Sequence, residues 1–256
     1  MQMTTTDSTL GVSQEQIDRI ITEVDERGYC VVEGVLGQKR VNRIRAVLET
    51  LLHAEKEQNL HPTGHQRVLH LAAKHPVFLE PLCHPLIIAV WRQYLSADLT
   101  CSTFTANALW PQATEQYWHA DHPYWTLTPP YPAIPLTGQC IWFLDDFTEE
   151  NGATAGIPGT HRANHLPELE GRWTDEAEIL TGPRGSVIFA HGAWWHTSRP
   201  NRTDRLRSAL LVTYTHTFCV PQEDMHAQLA HITEPSNLVK QLLGGNQYQP
   251  SRGFPY

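Results

Sequence analysis

Residues 185–207 read GSVIFAHGAWWHTSRPNRTDRLR, and this stretch points to the fold more directly than any other. Ser186-Val187-Ile188-Phe189-Ala190, opened by Gly185, has the β-branched and aromatic content of a buried strand. Gly192 turns the chain, Trp194-Trp195-His196 follows, and Thr197-Ser198-Arg199-Pro200-Asn201 has the composition of a hairpin-like reversal. A long β run then starts at Arg207 and reaches Val220. The reversal is expected to bring Arg207 back beside the segment that carries His196.

Upstream, similar short β-rich runs occur at Cys101–Leu109, Gln116–Asp121, Gln139–Leu144 and Ala153–Ile157. Asn151-Gly152, Pro158-Gly159, Gly182-Pro183 and Pro200-Asn201 punctuate them as turns. His122–Thr137 holds five prolines and is expected to be a loop, because proline cannot donate to a central ladder. Many short strands with Gly/Pro turns predict a barrel or a double-sheet jelly roll. The first hundred residues differ. Ser13 is placed to cap a helix that contains Ile17, Ile20, Ile21 and Val24 and ends at Gly28. Tyr29–Val32 reads as a short strand, and helices are expected over about Gln38–Glu57 and Pro76–Leu95. The chain is therefore read as mainly β with a helical N-terminal layer: one domain over 1–256, with helices in 13–100, a jelly-roll core in 101–220 and a C-terminal extension in 221–256. Disorder is expected only in about the first and last dozen residues.

Composition narrows the function. The chain has 256 residues and a net charge of −8, from 27 acidic against 19 basic residues, with no block of Lys or Arg. That balance argues against nucleic acid or an anionic membrane as partner. Cys30, Cys83, Cys101, Cys140 and Cys219 are odd in number and scattered, the pattern of reduced thiols in a cytoplasmic protein. MQMTTTDSTLGVS lacks a basic and an apolar leader region, and the longest apolar stretch, Leu86–Trp91, is too short to span a bilayer. A soluble cytoplasmic protein with a small-molecule substrate is expected; the oligomeric state is left open.

His119-Ala120-Asp121 carries the chemistry. On a strand, residues two apart share a face, so this His and Asp are expected to project together. With 15 histidines in the chain such a pair arises easily by chance, and a His–Asp contact at a barrel rim is the competing reading. His196 adds a second imidazole. Two imidazoles and one carboxylate on one side of a metal leave opposite positions open, as non-haem Fe(II) oxygenases require. Arg207 then offers a planar fork for the carboxylate of a diacid co-substrate. His191 rivals His196, and Arg205 rivals Arg207. His122 faces away from Asp121 on a strand, and Tyr124 and Trp125 are candidates for lining a substrate pocket beneath a proline-rich lid.

Three ordered motifs resemble the phytanoyl-CoA dioxygenase family. They are Gln116-Tyr117-Trp118-His119-Ala120-Asp121, then Asn151-Gly152-Ala153-Thr154 with Pro158-Gly159-Thr160-His161, then His196-Thr197-Ser198-Arg199-Pro200-Asn201 with Arg207. The resemblance spans about residues 13–217. It implies a cupin-like double-stranded β-helix that uses Fe(II), 2-oxoglutarate and O2. It implies that His119, Asp121 and His196 are metal ligands and that Arg207 clamps the distal carboxylate of 2-oxoglutarate. Gln116 and Thr154 resemble further co-substrate contacts, as does Arg67 in the more loosely matched helical half.

The reaction so implied is hydroxylation of an unactivated C–H bond in a small metabolite or natural-product intermediate, with release of succinate and CO2. Because Asp121 keeps the carboxylate that related halogenases lack, halogenation is disfavoured. Desaturation, epimerisation and cyclisation use the same oxidant and stay open. The chain ends Gly253-Phe254-Pro255-Tyr256, unlike a peroxisomal tripeptide, so an acyl-CoA substrate is not implied. Two other classes remain: a non-catalytic jelly-roll binding module, and a cupin-like metal hydrolase or isomerase, which leaves Arg207 without a role.

Overall fold

Helix α1 (Gln14–Arg27) begins where Ser13 accepts the backbone N–H of Gln16 and ends at Gly28, whose φ of +89° closes the left-handed cap. The structure, a computed structural model, describes residues 12–169 and 172–244. The two ends, for which the sequence predicts disorder, lie outside the described residues. Strand β1 (Tyr29–Val32) follows α1, then helices α2 (Gln38–Ala54) and α3 (Lys56–Asn59) and strand β2 (His65–Val68). Next come α4 (Leu71–Lys74), α5 (Leu79–Leu82) and α6 (Pro85–Tyr94). The β region runs through β3 (Thr100–Leu109), β4 (Thr137–Phe143), β5 (Thr154–Gly156), β6 (Glu178–Leu180), β7 (Val187–His191), β8 (His196–Ser198) and β9 (Arg207–Thr215). Helices α7 (Met225–Ala230) and α8 (Asn237–Leu242) close the described chain.

The strands form a six-stranded antiparallel sheet, β1-β7-β4-β9-β3-β2, and a three-stranded one, β6-β5-β8. The chain passes from one sheet to the other between β4 and β5, β6 and β7, β7 and β8, and β8 and β9. That alternation makes a jelly roll. The large sheet is covered on both faces, and its alternation explains why. Phe104, Ala106 and Ala108 of β3, Cys140 and Trp142 of β4, Val187 and Phe189 of β7, and Leu210, Val212 and Tyr214 of β9 pack against the N-terminal helices. Their neighbours point the other way. Ile141, Phe143, Ile188, Ala190 and Ala209 meet Leu180 and Trp194 between the sheets, and at one end this inner face turns polar, at Thr103, Thr105, Asn107, Gln139, Arg207 and Thr213. Burial of the larger apolar side chains on the two faces, at ~1.5–3 kcal/mol for each Val, Leu, Ile or Phe, stabilises the sheets that flank this polar hollow.

Several sequence expectations change. Gln116–Asp121 is not a regular strand. Gln116 N–H reaches Ser198 O, and His119 and His196 exchange both backbone bonds, so three residues on one side span two on the other and the ladder slips. The helix expected at Pro76–Leu95 is a 3-10 turn (Pro76–Phe78) followed by α5 and α6, broken at Cys83-His84 because the residue before Pro85 is barred from helix. The long helix expected to Glu57 stops at Ala54. β9 stops at Thr215, well short of Val220. β8 and β9 do not pair: the stretch 199–206 crosses between sheets instead of folding a hairpin. The proline-rich loop is a loop, with a single 3-10 turn at Tyr124–Thr126. Among the described residues no helix is long and apolar enough to cross a membrane.

Candidate active site

His119, Asp121 and His196 converge. One ligand atom from each lies within 4.8 Å of the others, with His196 Nε2 at 3.9 Å from Asp121 Oδ2 and the imidazole centroids 4.3 Å apart. Backbone carbonyls orient both rings: His119 Nδ1 lies 3.0 Å from Tyr117 O, and His196 Nδ1 lies 3.0 Å from Trp194 O. A carbonyl only accepts, so each Nδ1 carries the proton and each Nε2 keeps its lone pair for a metal. Burial pushes both imidazoles down to about 4, so they stay neutral at physiological pH. Burial raises the Asp121 carboxyl, against the pull of His119 and Arg67. Two neutral nitrogens and one carboxylate on one side of a shared centre fit Fe(II) with its opposite positions open.

Trp194 fixes the second imidazole from behind, stacked on His196 at 5.0 Å and 11°. Its indole lies where a side chain on Gly156 would go: a Cβ there would stand 1.6 Å from Trp194 Cζ2. We expect Gly156→Ala to lose ~1–3 kcal/mol through overpacking, or roughly 2–4 °C of Tm per kcal/mol. Because the displaced ring is the one stacked on His196, metal affinity should fall with it. Thermal unfolding and metal titration of the variant measure both; unchanged Tm would remove Trp194 from this role.

A cavity of about 580 Å³ opens from the triad and runs between the sheets. Arg207 lies in its wall, 2% exposed. One Nη donates to Gly152 O, the guanidinium sits 4.4 Å over the Phe147 ring, and Nε is buried without a partner. Gly152 is obligatory at this contact, since its φ is +84° and a Cβ would meet Arg199 O at 2.6 Å. Asp145 makes no ion pair with Arg207, although its charge acts on the guanidinium from a distance. Its carboxylate accepts Ser208 N–H and Oγ–H at 2.8 and 2.9 Å and pairs with Arg45 at 3.0 Å. Burial drives the Arg207 guanidinium down to about 9, against the pull of the Asp145 charge. A buried cation with no ion-pair partner among the described residues is costly until an anion joins it.

The other expected contacts share this cavity. Gln116, whose Oε1 accepts Ser198 Oγ–H at 3.4 Å, Thr154 of β5 and Arg67 of β2 all line it. Trp125 does too, whereas Tyr124 does not: it is buried against His191 and Tyr131, and its hydroxyl oxygen accepts Leu136 N–H. His191 lies apart from the triad, with Nδ1 accepting Ala193 N–H and its ring beside His161. Arg205 and His122 do not reach the cavity. Sequence reading missed Thr103, Thr105, Asn107, Gln139 and Thr213, which line its wall. A signal was there: Thr103-Phe104-Thr105-Ala106-Asn107-Ala108 alternates polar with apolar on a strand covered on both faces.

The family model described as Phytanoyl-CoA dioxygenase (PhyH) matches residues 24–209. Dioxygenase af480 of Aspergillus fumigatus is 28% identical over 58% of the chain, which spans about half of that protein (47%). L-proline trans-4-hydroxylase of Streptomyces griseoviridis is 24% identical, over 83% of the chain and 88% of the hydroxylase. In fold, the crystal structure of HygX from Streptomyces hygroscopicus with nickel, 2-oxoglutarate and hygromycin B superposes with a TM-score of 0.67 at 20% identity, over 82% of the chain and 90% of HygX.

Proposed function

The chain belongs to the phytanoyl-CoA dioxygenase family, and on that basis we propose that it is an Fe(II)- and 2-oxoglutarate-dependent dioxygenase. Its reaction is hydroxylation of a C–H bond in a small metabolite, in the cytoplasm. The observation that carries this is one cavity with a two-imidazole, one-carboxylate cluster and a buried guanidinium that lacks a counterion among the described residues. A metal hydrolase would have no use for that guanidinium, and a binding module would have no use for an open-sided metal cluster. The five free cysteines agree with a reducing compartment.

His119, Asp121 and His196 would hold the iron, and Arg207 would hold the far carboxylate of 2-oxoglutarate. When bound, the metal and co-substrate would serve to activate O2: 2-oxoglutarate gives two electrons and takes one oxygen atom, leaving as succinate and CO2, and the other oxygen atom enters the C–H bond to give an alcohol. The protein contributes orientation. Tyr117 O and Trp194 O hold the Nδ1 protons and aim the imidazoles, burial keeps both rings neutral, and the guanidinium fork would grip one carboxylate of the diacid. Gln116 and Thr154, which line the same cavity, would offer hydrogen bonds to the diacid.

Fe(II)-loaded protein is expected to bind 2-oxoglutarate without oxygen and, once oxygen is admitted, to form succinate at a slow basal rate that a true substrate accelerates. Calorimetry and succinate assay measure the two steps. Tight zinc binding with no affinity for 2-oxoglutarate would replace this reading with that of a binding module.

A further inference from the structure

Pro158-Gly159-Thr160-His161 does not line the cavity, yet it is bonded to the segment that carries the second imidazole. Gly159, at a φ of +78°, opens a 3-10 turn over Thr160–Arg162. The turn is tied to the end of α1: Gly159 N–H donates to Arg27 O at 2.7 Å, and His161 Nε2 lies 2.9 Å from Asp25 O. Thr160 is thereby held beside the ends of β5 and β8, where the ladder between them has a gap. Gly156 stands opposite His196, and the parity of the ladder makes the next pair, Ile157 and Trp195, one that exchanges two backbone bonds. Only one is made, from Ile157 N–H to Trp195 O at 3.1 Å. The Thr160 hydroxyl replaces the other. Its oxygen accepts Trp195 N–H at 3.0 Å, and its O–H donates to Ile157 O at 2.8 Å. Between His191 and His196, Trp195 N–H is the one backbone donor whose partner is a side chain from outside that segment.

That donor matters because of the carbonyl it shares a plane with. Trp195 N–H and Trp194 O belong to one peptide unit, and in a trans peptide the two point in opposite directions. Trp194 O is the acceptor that orients His196, 3.0 Å from its Nδ1. The groups form a single chain in which every donor points the same way. His196 Nδ1–H donates to Trp194 O, Trp195 N–H to Thr160 Oγ1, and Thr160 O–H to Ile157 O. Bonds in such a chain polarise one another, and a carbonyl held in place holds the imidazole bonded to it.

We propose that Thr160 is a positioning residue for the metal: its hydroxyl sets the Trp194–Trp195 peptide, and that peptide aims His196 Nε2 at the ion. This rests on the reading of His119, Asp121 and His196 as metal ligands. Thr160 acts on one ligand alone. His119 takes its orientation from Tyr117 O, which is not part of the chain, so the loss of the hydroxyl falls on one of the two imidazoles.

The test titrates the full chain with Co(II), followed by ligand-field absorption, and reads both imidazole N–H groups of the Co(II)-loaded protein by proton NMR. Thr160→Val keeps the shape and removes the hydroxyl. It should bind Co(II) about tenfold more weakly, the low end of the ~10–100-fold cost of removing a group that orients a metal ligand. His196 Nδ1–H should exchange with water at least tenfold faster, while His119 Nδ1–H stays within threefold. Thr160→Ser retains the hydroxyl and should bring both values to within threefold of wild type. Thr160→Cys, whose thiol is a weak donor and acceptor, should fall between the two and serves in place of valine if that variant does not fold. Unchanged Co(II) affinity on loss of the hydroxyl, equal acceleration at both imidazoles, or no recovery in Thr160→Ser overturns the proposal. Wild-type protein that binds no Co(II) refutes the three-ligand reading itself, a separate outcome seen before any variant is made.

Discussion

Asp121→Ala protein is expected to lose its iron, with affinity falling by at least about 100-fold and 2-oxoglutarate-dependent succinate formation dropping to background. The bound rests on the weaker perturbation of removing a group that merely orients a ligand, which already lowers metal affinity ~10–100-fold; in the proposed site Asp121 is a donor itself and the cluster's one carboxylate. The fold should survive the change. Burial already disfavours the Asp121 charge, so its removal takes away a desolvated group that the unliganded protein gains little from keeping. His119→Ala should behave alike, because the two remaining donors, Asp121 and His196, cannot close three sides of an ion. His191→Ala is the control. Its ring lies among Tyr124, His161 and Tyr94, so its loss should leave metal content unchanged. Metal analysis after desalting, alongside circular dichroism, reads all three. Stoichiometric iron retained by Asp121→Ala would remove this carboxylate from the ligand set.

Arg207→Gln is expected to separate co-substrate binding from metal binding. Removing one member of a buried, hydrogen-bonded charge pair costs ~2–5 kcal/mol, which at ~1.4 kcal/mol per factor of ten is roughly 30- to several-thousand-fold in the dissociation constant of 2-oxoglutarate. Iron content should be unchanged, since Arg207 is not in the donor cluster. Lysine should not restore affinity. The Arg207 guanidinium is held over Phe147, with one nitrogen on Gly152 O and another left for a ligand. An ammonium can neither stack nor present a fork. Calorimetric titration of the Mn(II)-loaded variants gives the numbers. Unchanged 2-oxoglutarate affinity would detach Arg207 from the co-substrate and leave its buried charge unexplained.

The two variants probe parts of the molecule that differ in how plainly the chain announces them. Ser13 and Gly28 mark both ends of α1 in the residue order alone, because capping is local: a hydroxyl reaches an N–H three residues away, and a glycine relieves a positive φ. The buried strand at Val187–His191 is equally plain. The strand assigned to Gln116–Asp121 fails for a reason local pattern does not contain. His119 and Asp121 are aimed by contacts to residues far along the chain: His119 by its backbone exchange with His196, and Asp121 N–H by Gly192 O. A two-residue period was the wrong ground for expecting them to converge, although they do. Helices α7 and α8 were missed because each has six residues, too short for a periodic signal, and both are held by tertiary packing of Met225, Val239 and Leu242.

Residue order is enough to nominate the side chains for the chemistry and their succession, because an imidazole, a carboxylate and a guanidinium keep their donor properties in any fold. It is also enough for the buried strand at β7, because its apolar run is continuous from Val187 to Ala190. Only packing in three dimensions parts β8 and β9 into different sheets, so that Arg207 confronts the metal cluster across a hollow rather than lying next to it on a hairpin. Packing likewise keeps every carboxylate among the described residues out of ion-pair reach of Arg207. Distance between groups remote in the chain, and the exclusion of water around them, come from packing, and those two quantities turn ordinary side chains into binding sites.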